Sequence, residues 1–321
     1  GVVLLYVFRS GVMGVAWTNT FQGILMMSLA WGLGLYLPYT LHGGIGPMFA
    51  RLIETSPAML TAPGLDAAGA PWTWGGYSSA IAISVFGFSV WPHYFMKIYT
   101  ANSMATLRKT VVFYPTFAFF LLPILLIGFS GILIFPDVTP VDTILPTIVT
   151  SLDLPPVIVG LFCAGALAAS MSSGDAIVHA AGAVAIKDGY RVLVPQVMHD
   201  GDDTRLIRWA VVIIGAVSYY VAIHSNISLV LLLLLSYGFI AQIFPALIAS
   251  LYWRRSTPTG VIAGLVAGCL TTVVWNLIPI LQWQQIHPGI WGLAANTSIL
   301  VAVSLATRPM DPTHVAEFIP V

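Results

Sequence analysis

Ala168-Ala-Ser-Met-Ser-Ser-Gly-Asp175 is the stretch on which the reading of this chain turns. It lies inside an apolar run, 156–182, long enough to cross a bilayer, which takes roughly 20 residues. Ser172 and Ser173 are adjacent hydroxyls, and Asp175 is the acidic residue set deepest in an apolar run. A carboxylate in hydrocarbon is costly and marks a function by default. Hydroxyl and carbonyl oxygens are hard ligands, suited to an alkali or alkaline-earth cation. The competing reading is that small residues let helices pack closely and that serines bond back to their own turn. On either reading the segment is a membrane span.

Working outward, runs at about 12–37, 77–98, 111–135, 207–224, 228–252, 259–280 and 289–307 are also long enough to cross. Of 321 residues, 58% are hydrophobic and 7% charged, against about 25% charged in a soluble domain. Lipid is therefore the solvent for much of the chain. A net charge of zero leaves no basic surface for nucleic acid. Cys163 and Cys269 sit in apolar runs and read as small buried hydrophobes rather than as a disulfide or metal ligands.

The eight spans alternate direction, so each basic residue has a side. Arg9, Lys97, Arg108, Lys109, Lys187, Arg191, Arg205, Arg208, Arg254, Arg255 and Arg308 fall inside. Of the 12 Lys and Arg, only Arg51 falls outside, as the positive-inside rule demands. The outer segment 38–76 is rich in Gly and Pro, with a short helix expected near 46–56. The charged inner loop 187–208, with Asp188, Asp200, Asp202 and Asp203, reads as solvated surface. Gly1–Phe8, eight apolar residues ahead of Arg9, is too short to span and reads as the tail of a helix whose beginning is missing, so the chain is expected to be a fragment. The transmembrane domain is expected over 1–307, with a short cytoplasmic tail at 308–321.

Three further polar sets lie within the spans. Asn19 and Gln22, three apart, share a helix face. Asn19 and Asp175 each lie about seven residues from the inner ends of their helices, hence at one depth, roughly 10 Å in. Gly87 and Pro92 invite a break in the second span, with His93 after it. Such breaks persist where they line a cavity. Gln242 is a lone amide before Pro245. No His-Glu-x-x-His, nucleophile elbow, aspartate pair or phosphate loop is present in the sequence, so an enzyme is a poor reading.

Together these stretches resemble the sodium:solute symporter family. Gly14-Val-Ala-Trp-Thr-Asn-Thr-Phe-Gln22 looks like its G-x-x-A-x-x-T-D-x-x-Q stretch. Trp91-Pro-His-Tyr-Phe-Met-Lys97 with Thr100-Ala-Asn-Ser103 looks like Q-P-H-x-x-x-R and A-x-S. Ala168–Asp175 with Lys187-Asp-Gly-Tyr-Arg191 looks like A-A-x-M-S-T-x-D and D-x-Y-R. Tyr252-Trp-Arg-Arg255 and Gly260 also fit.

The resemblance implies a LeuT-type inverted-repeat fold. The second five-helix repeat would be complete, preceded by the last helix of the first repeat and followed by two peripheral helices. It implies Na+-coupled symport of a small organic solute, a monocarboxylate or an amino acid, across a prokaryotic plasma (inner) membrane. Sodium would bind the Ala169 carbonyl, Ser172 and Ser173. Asn19 stands where the family has Asp, so a second cation would draw its charge from Asp175. Ser84, Gly87, Phe88, Trp91, His93 and Gln242 would face solute. A proton-coupled symporter using Asp175 or His93, and a transporter-like sensor, remain open alternatives.

Overall fold

Local chemistry sets where the helices begin. Thr73, Ser103, Ser228 and Thr257 each accept a hydrogen bond from a main-chain N–H in the first turn of the helix that follows, satisfying donors that a helix start leaves free. Pro156, Pro258 and Pro288 take first helical positions, where a missing N–H costs nothing. The structure, a computed structural model, describes residues 2–66, 69–99, 101–138, 141–152, 155–194, 202–224, 227–278 and 283–319, with the side chains of 2–16, 96, 97, 141 and 202 left aside. Residues 195–201, with Asp200 of the inner loop, and Thr100 of the second motif lie outside the described residues.

The elements are α1 (Val2–His42), α2 (Ile45–Thr55), α3 (Trp74–Ser89), α4 (Pro92–Tyr99), α5 (Met104–Phe113), α6 (Leu121–Ile132), α7 (Ile144–Ser151), α8 (Pro156–Val184) and α9 (Arg191–Leu193). They continue with α10 (Asp202–His224), α11 (Leu229–Ile240), α12 (Ile243–Tyr252), α13 (Pro258–Leu277), α14 (Pro288–Ala306) and α15 (Pro312–Phe318). A tight 3-10 segment, Tyr114–Phe120, joins α5 to α6, and a wide π turn, Ala185–Tyr190, follows α8. α2 is the short outer helix expected near 46–56.

Among the described residues, seven helical segments are long and apolar enough to cross a membrane. The eighth expected span, 77–98, is split: α3 ends at Ser89 and α4 begins at Pro92. Pro92 brings no N–H to continue the ladder, and Val90 and Trp91 close α3 with long bonds to Gly87 O (3.3 Å) and Phe88 O (3.5 Å). The expected break is present.

One boundary differs from the sequence reading. Residues 1–8 are expected from the sequence to be the tail of a separate helix ahead of the first span, but the backbone from Val2 to His42 is one helix of 41 residues. Arg9 does not interrupt it, because a single arginine favours helix. Gly43, at φ +79, ends it, as a glycine in the left-handed region does.

The chain forms two compact units. The first holds residues 1–57 and 92–226 and the second 58–91 and 227–321. In the first, Leu33, Leu37, Ile127 and Ile148 form a buried cluster, with Phe135, Ile144 and Phe162 against it. α1 and α6 run parallel: a Cβ at Gly34 would meet Pro123, and His42 Nε2 meets Ser130 O at 3.2 Å eight and seven residues further on. In the second unit, α13 and α14 pack through small residues. Gly260, Gly264 and Gly268 lie against Ser304, Leu300, Asn296 and Gly292 so closely that a Cβ at each would come within 3.0 Å of α14. Arg255 closes the hairpin's inner end, donating to the carbonyls of Ser304 (2.6 Å), Leu305 (3.0 Å) and Thr307 (2.7 Å).

Candidate functional site

On α8, Ala169, Ser172 and Ser173 are spaced three and four apart and so share a helix face. Ser172 donates its hydroxyl proton to the Ala169 carbonyl at 3.0 Å, which leaves the Oγ lone pairs free to face outward. Ala169 and Ser173 are exposed and Ser172 half-buried. Three oxygens thus lie along an accessible strip of a membrane helix.

The adjoining strip of α8 is closed. Gly165, Ala168 and Asp175 are buried, and a Cβ at Gly165 would stand 2.4 Å from Leu29 Cδ1 on α1. Phe162 packs on the cluster that contains Leu33 and Leu37. α8 therefore advances as α1 recedes, and the two are antiparallel. From the Leu29–Gly165 contact, ten residues back along α1 reach Asn19 and ten forward along α8 reach Asp175. Both travel about 15 Å, so the two residues are level. By the same register Gln22 is level with Ser172. Asp175 is fully buried, and its Oδ1 accepts the Ala176 N–H at 2.5 Å. Asn19 Oδ1 and Gln22 Oε1 are buried oxygens with no hydrogen-bond partner among the described residues.

The residues expected to face solute separate. Ser84 and Phe88 lie four apart on the last turns of α3 and are half-buried, and Ser84 Oγ donates to Ala80 O at 2.7 Å. Trp91 sits over Tyr237 with ring centroids 5.6 Å apart. Gly87 does not open toward a cavity, since its α-carbon is pressed on Tyr237, where a Cβ would come within 2.6 Å. His93 opens α4 in the first unit and is 8% exposed.

Gln242 corrects the sequence reading. It is wholly buried, and its Nε2 donates to Gly238 O (2.9 Å) and Gly289 O (3.1 Å) and approaches Thr272 Oγ1 at 3.4 Å. Asn296 Nδ2 donates to Gln242 O at 2.7 Å and reaches Gln242 Oε1 at 3.3 Å. The amide is consumed in joining the α11–α12 bend to α13 and α14, so nothing of it is offered to a solute.

The sodium:solute symporter family model matches residues 1–268. This chain belongs to the sodium:solute symporter family. It is 31% identical over 318 residues to the uncharacterized symporter YhjB of Bacillus subtilis, covering 95% of this chain and 64% of the relative. It is 26% identical over 322 residues to the high-affinity proline transporter PutP of Bacillus subtilis (96% and 64%). With a sodium/pantothenate symporter of Haemophilus influenzae it shares 24% over 322 residues (97% and 64%). The chain thus spans a little under two thirds of these relatives. Its fold matches the substrate-bound outward-open state of a Na+-coupled sialic acid symporter at TM-score 0.76 and 17% identity, over 96% of this chain and 65% of that one. The sodium:solute symporter family consists of integral membrane transporters, and the LeuT-type fold expected from the motifs is the fold found.

Within this family frame, three features escaped the sequence reading. The glycines of α13 recur at a spacing of four, a small-residue signal for close helix packing. Asn296 and Thr272 carry no local hint of their partner Gln242. Gln284 (φ 50) and Gln285 (φ 55) adopt left-handed backbone angles that their residue type does not announce.

Proposed function

We propose that this chain is the larger part of a secondary active transporter that couples Na+ to uptake of a small carboxylate-bearing solute across a bacterial inner membrane. The observation that carries the reading is the strip of oxygens at Ala169, Ser172 and Ser173 on α8. A hydroxyl pair and a carbonyl suit a weakly held, hard monovalent cation. Asp175, with the orphaned oxygens of Asn19 and Gln22 level with it and with Ser172, supplies a second oxygen-only set whose one charge comes from the carboxylate. Both would be occupied in the outward-facing form and vacated together on the inward swing. Proline, pantothenate and sialic acid, the solutes of the named relatives, all carry a carboxylate, which supports that solute class. Ser84, Phe88 and Trp91, at the end of the first half of the divided second span, are the solute-facing groups of this reading; His93 keeps the same expected role at the start of the second half. Residues 308–321 form a cytoplasmic tail in this reading.

The test is solute uptake by the full-length protein in vesicles with imposed Na+ or pH gradients. Uptake should follow the Na+ gradient, and Ser172→Ala and Ser173→Ala should each raise the Na+ concentration for half-maximal uptake about tenfold, the equivalent of losing about 1.4 kcal/mol. Unchanged Na+ dependence in both variants would remove the site. Uptake driven by a pH gradient in Na+-free buffer would replace sodium by a proton carried on Asp175, the other role open to a buried membrane carboxylate.

A further inference from the structure

Helix α1 ends on a buried histidine. His42 is 6% exposed, just before Gly43 (φ +79) and Gly44 (φ +136) turn the chain into α2. Its Nε2 lies 3.2 Å from the Ser130 carbonyl on the last turn of α6. A carbonyl can only accept, so Nε2 carries the ring proton. The Ser130 carbonyl takes a side-chain donor because the N–H groups of Ile134 and Phe135 both go to Gly131 O, at 3.0 and 2.8 Å. A donor there suits the negative end of a helix. The Ser130 hydroxyl donates to Met48 Sδ on α2 at 3.2 Å. Ser130 and Met48 are fully buried, and Phe49 meets Phe129 edge to face with ring centroids 5.7 Å apart. Ser130 thus ties α6 to the end of α1 and to the first turn of α2.

The other ring nitrogen has no such role. Nδ1 is buried and has no hydrogen-bond partner among the described residues. A bare acceptor shut away from water is costly and calls for an explanation. No charge is close enough to supply one. α1 brings Tyr36 and Tyr39 to this end, α2 brings Arg51 and Glu54, and the segment after α6 brings Asp137 and Asp142; all are exposed, and none is bonded to His42. Leu121–Ile132 and Ile144–Ser151 hold no titratable residue. A second proton on the ring would therefore be a donor without an acceptor and a charge without a counter-ion.

We propose that His42 is an acid-released latch. While neutral it pins the corner between α1 and α2 to the end of α6; once protonated it leaves Ser130 and the corner loosens. In the orientation set by the basic loops this corner is on the outer face, so the proton comes from outside the cell, and histidine is the side chain suited to that exchange. α1, α2 and α6 all belong to one compact unit, and the latch works without ion or solute.

Pulsed spin-label distances on the full-length protein in lipid nanodiscs, in a cysteine-free background and without added Na+ or solute, test this apart from what is transported. Labels at Ile53→Cys on α2 and Leu125→Cys on α6, both exposed, should give one narrow distance at about pH 8. At about pH 5, the other end of the range in which histidine changes charge, the distance should broaden or lengthen, and reversibly so. His42→Gln offers Ser130 a donor that cannot titrate, and should stay narrow at both values. His42→Leu has no donor and should be broad at both. Should His42→Leu fail to fold, His42→Gln against the parent carries the comparison. A parent distance indifferent to pH, or acid broadening that persists in His42→Gln, overturns the proposal.

Discussion

Asn296 donates through Nδ2 to the main-chain oxygen of Gln242 at 2.7 Å, and the Gln242 side chain donates in turn to the Gly289 carbonyl at 3.1 Å. Interhelical hydrogen bonds in membranes contribute from about 0.5 to 2 kcal/mol. Gln242→Leu should therefore lower stability by about that much, read from thermal unfolding of the detergent-solubilised protein. It should leave the solute KM unchanged. A raised KM at unchanged stability would return Gln242 to the solute site.

Gly268→Ala should be among the most damaging alanine substitutions in the second unit. Its methyl would fall 2.3 Å from Gln242 Oε1, 2.8 Å from Asn296 Cβ and 3.0 Å from the Gly292 carbonyl, and the last of these is backbone that cannot turn aside. Overpacking of this kind costs about 1–3 kcal/mol. Gly23→Ala, where nothing lies within 4 Å, should be neutral or slightly stabilising because alanine is the better helix former. Equal thermal shifts in the two variants would show that α13 and α14 are not packed as described.

Charge in the α1–α8 oxygen set should be movable. Asp175→Asn removes its one carboxylate and should weaken Na+ activation of uptake at least tenfold. Asn19→Asp in the same background returns a carboxylate at the same level and should recover most of that loss. A double variant as poor as Asp175→Asn alone would mean that the two residues do not share an ion.

His287 lies outside the spans, capping α14. Its Nδ1 accepts the Gly289 N–H at 3.1 Å, which leaves the ring proton for Nε2. Burial pushes its pKa down from 6.5 to about 4, partly offset by a hydrogen bond to the Leu234 backbone. Between those values the unfolded chain binds a proton that the folded chain refuses. Stability should accordingly be full above about pH 6.5, fall as pH drops from there to about 4, and then level off. The total from this group is at most about 3 kcal/mol. His287→Asn keeps a capping acceptor but cannot titrate, so its unfolding midpoint should lack this dependence. A wild-type slope that persists in the variant would assign the effect elsewhere.

Much of the architecture was legible because it is written in runs and local breakers. Length and hydropathy mark the spans, Pro92 marks the break, and the spacing of Ala169, Ser172 and Ser173 marks one face of α8. Residues whose role is set by distant partners were not legible. Gln242 looked like a solute ligand because its partners Thr272, Gly289 and Asn296 lie 30 to 54 residues away. Gly87 looked like part of an opening, yet its missing side chain makes room for Tyr237. Arg9 looked like a boundary, but charge alone does not end a helix. The levelling of Asn19 with Asp175 needed one long-range contact, Leu29 on Gly165, to set the register.

The glycines of α13 recur every fourth residue, while the helix turns every 3.6. Each step therefore carries the contact strip about 40° around the helix axis, and α14 must cross α13 obliquely to stay on it. Such a strip tolerates exchange among small side chains but not a change in count. One residue inserted or deleted between Gly260 and Gly268 would swing everything beyond it by about 100°, turning the contact strip toward lipid. Homologues should accordingly vary in what α13 presents to the bilayer while keeping the length of this segment constant, and grafts or truncations of the protein should be joined outside it.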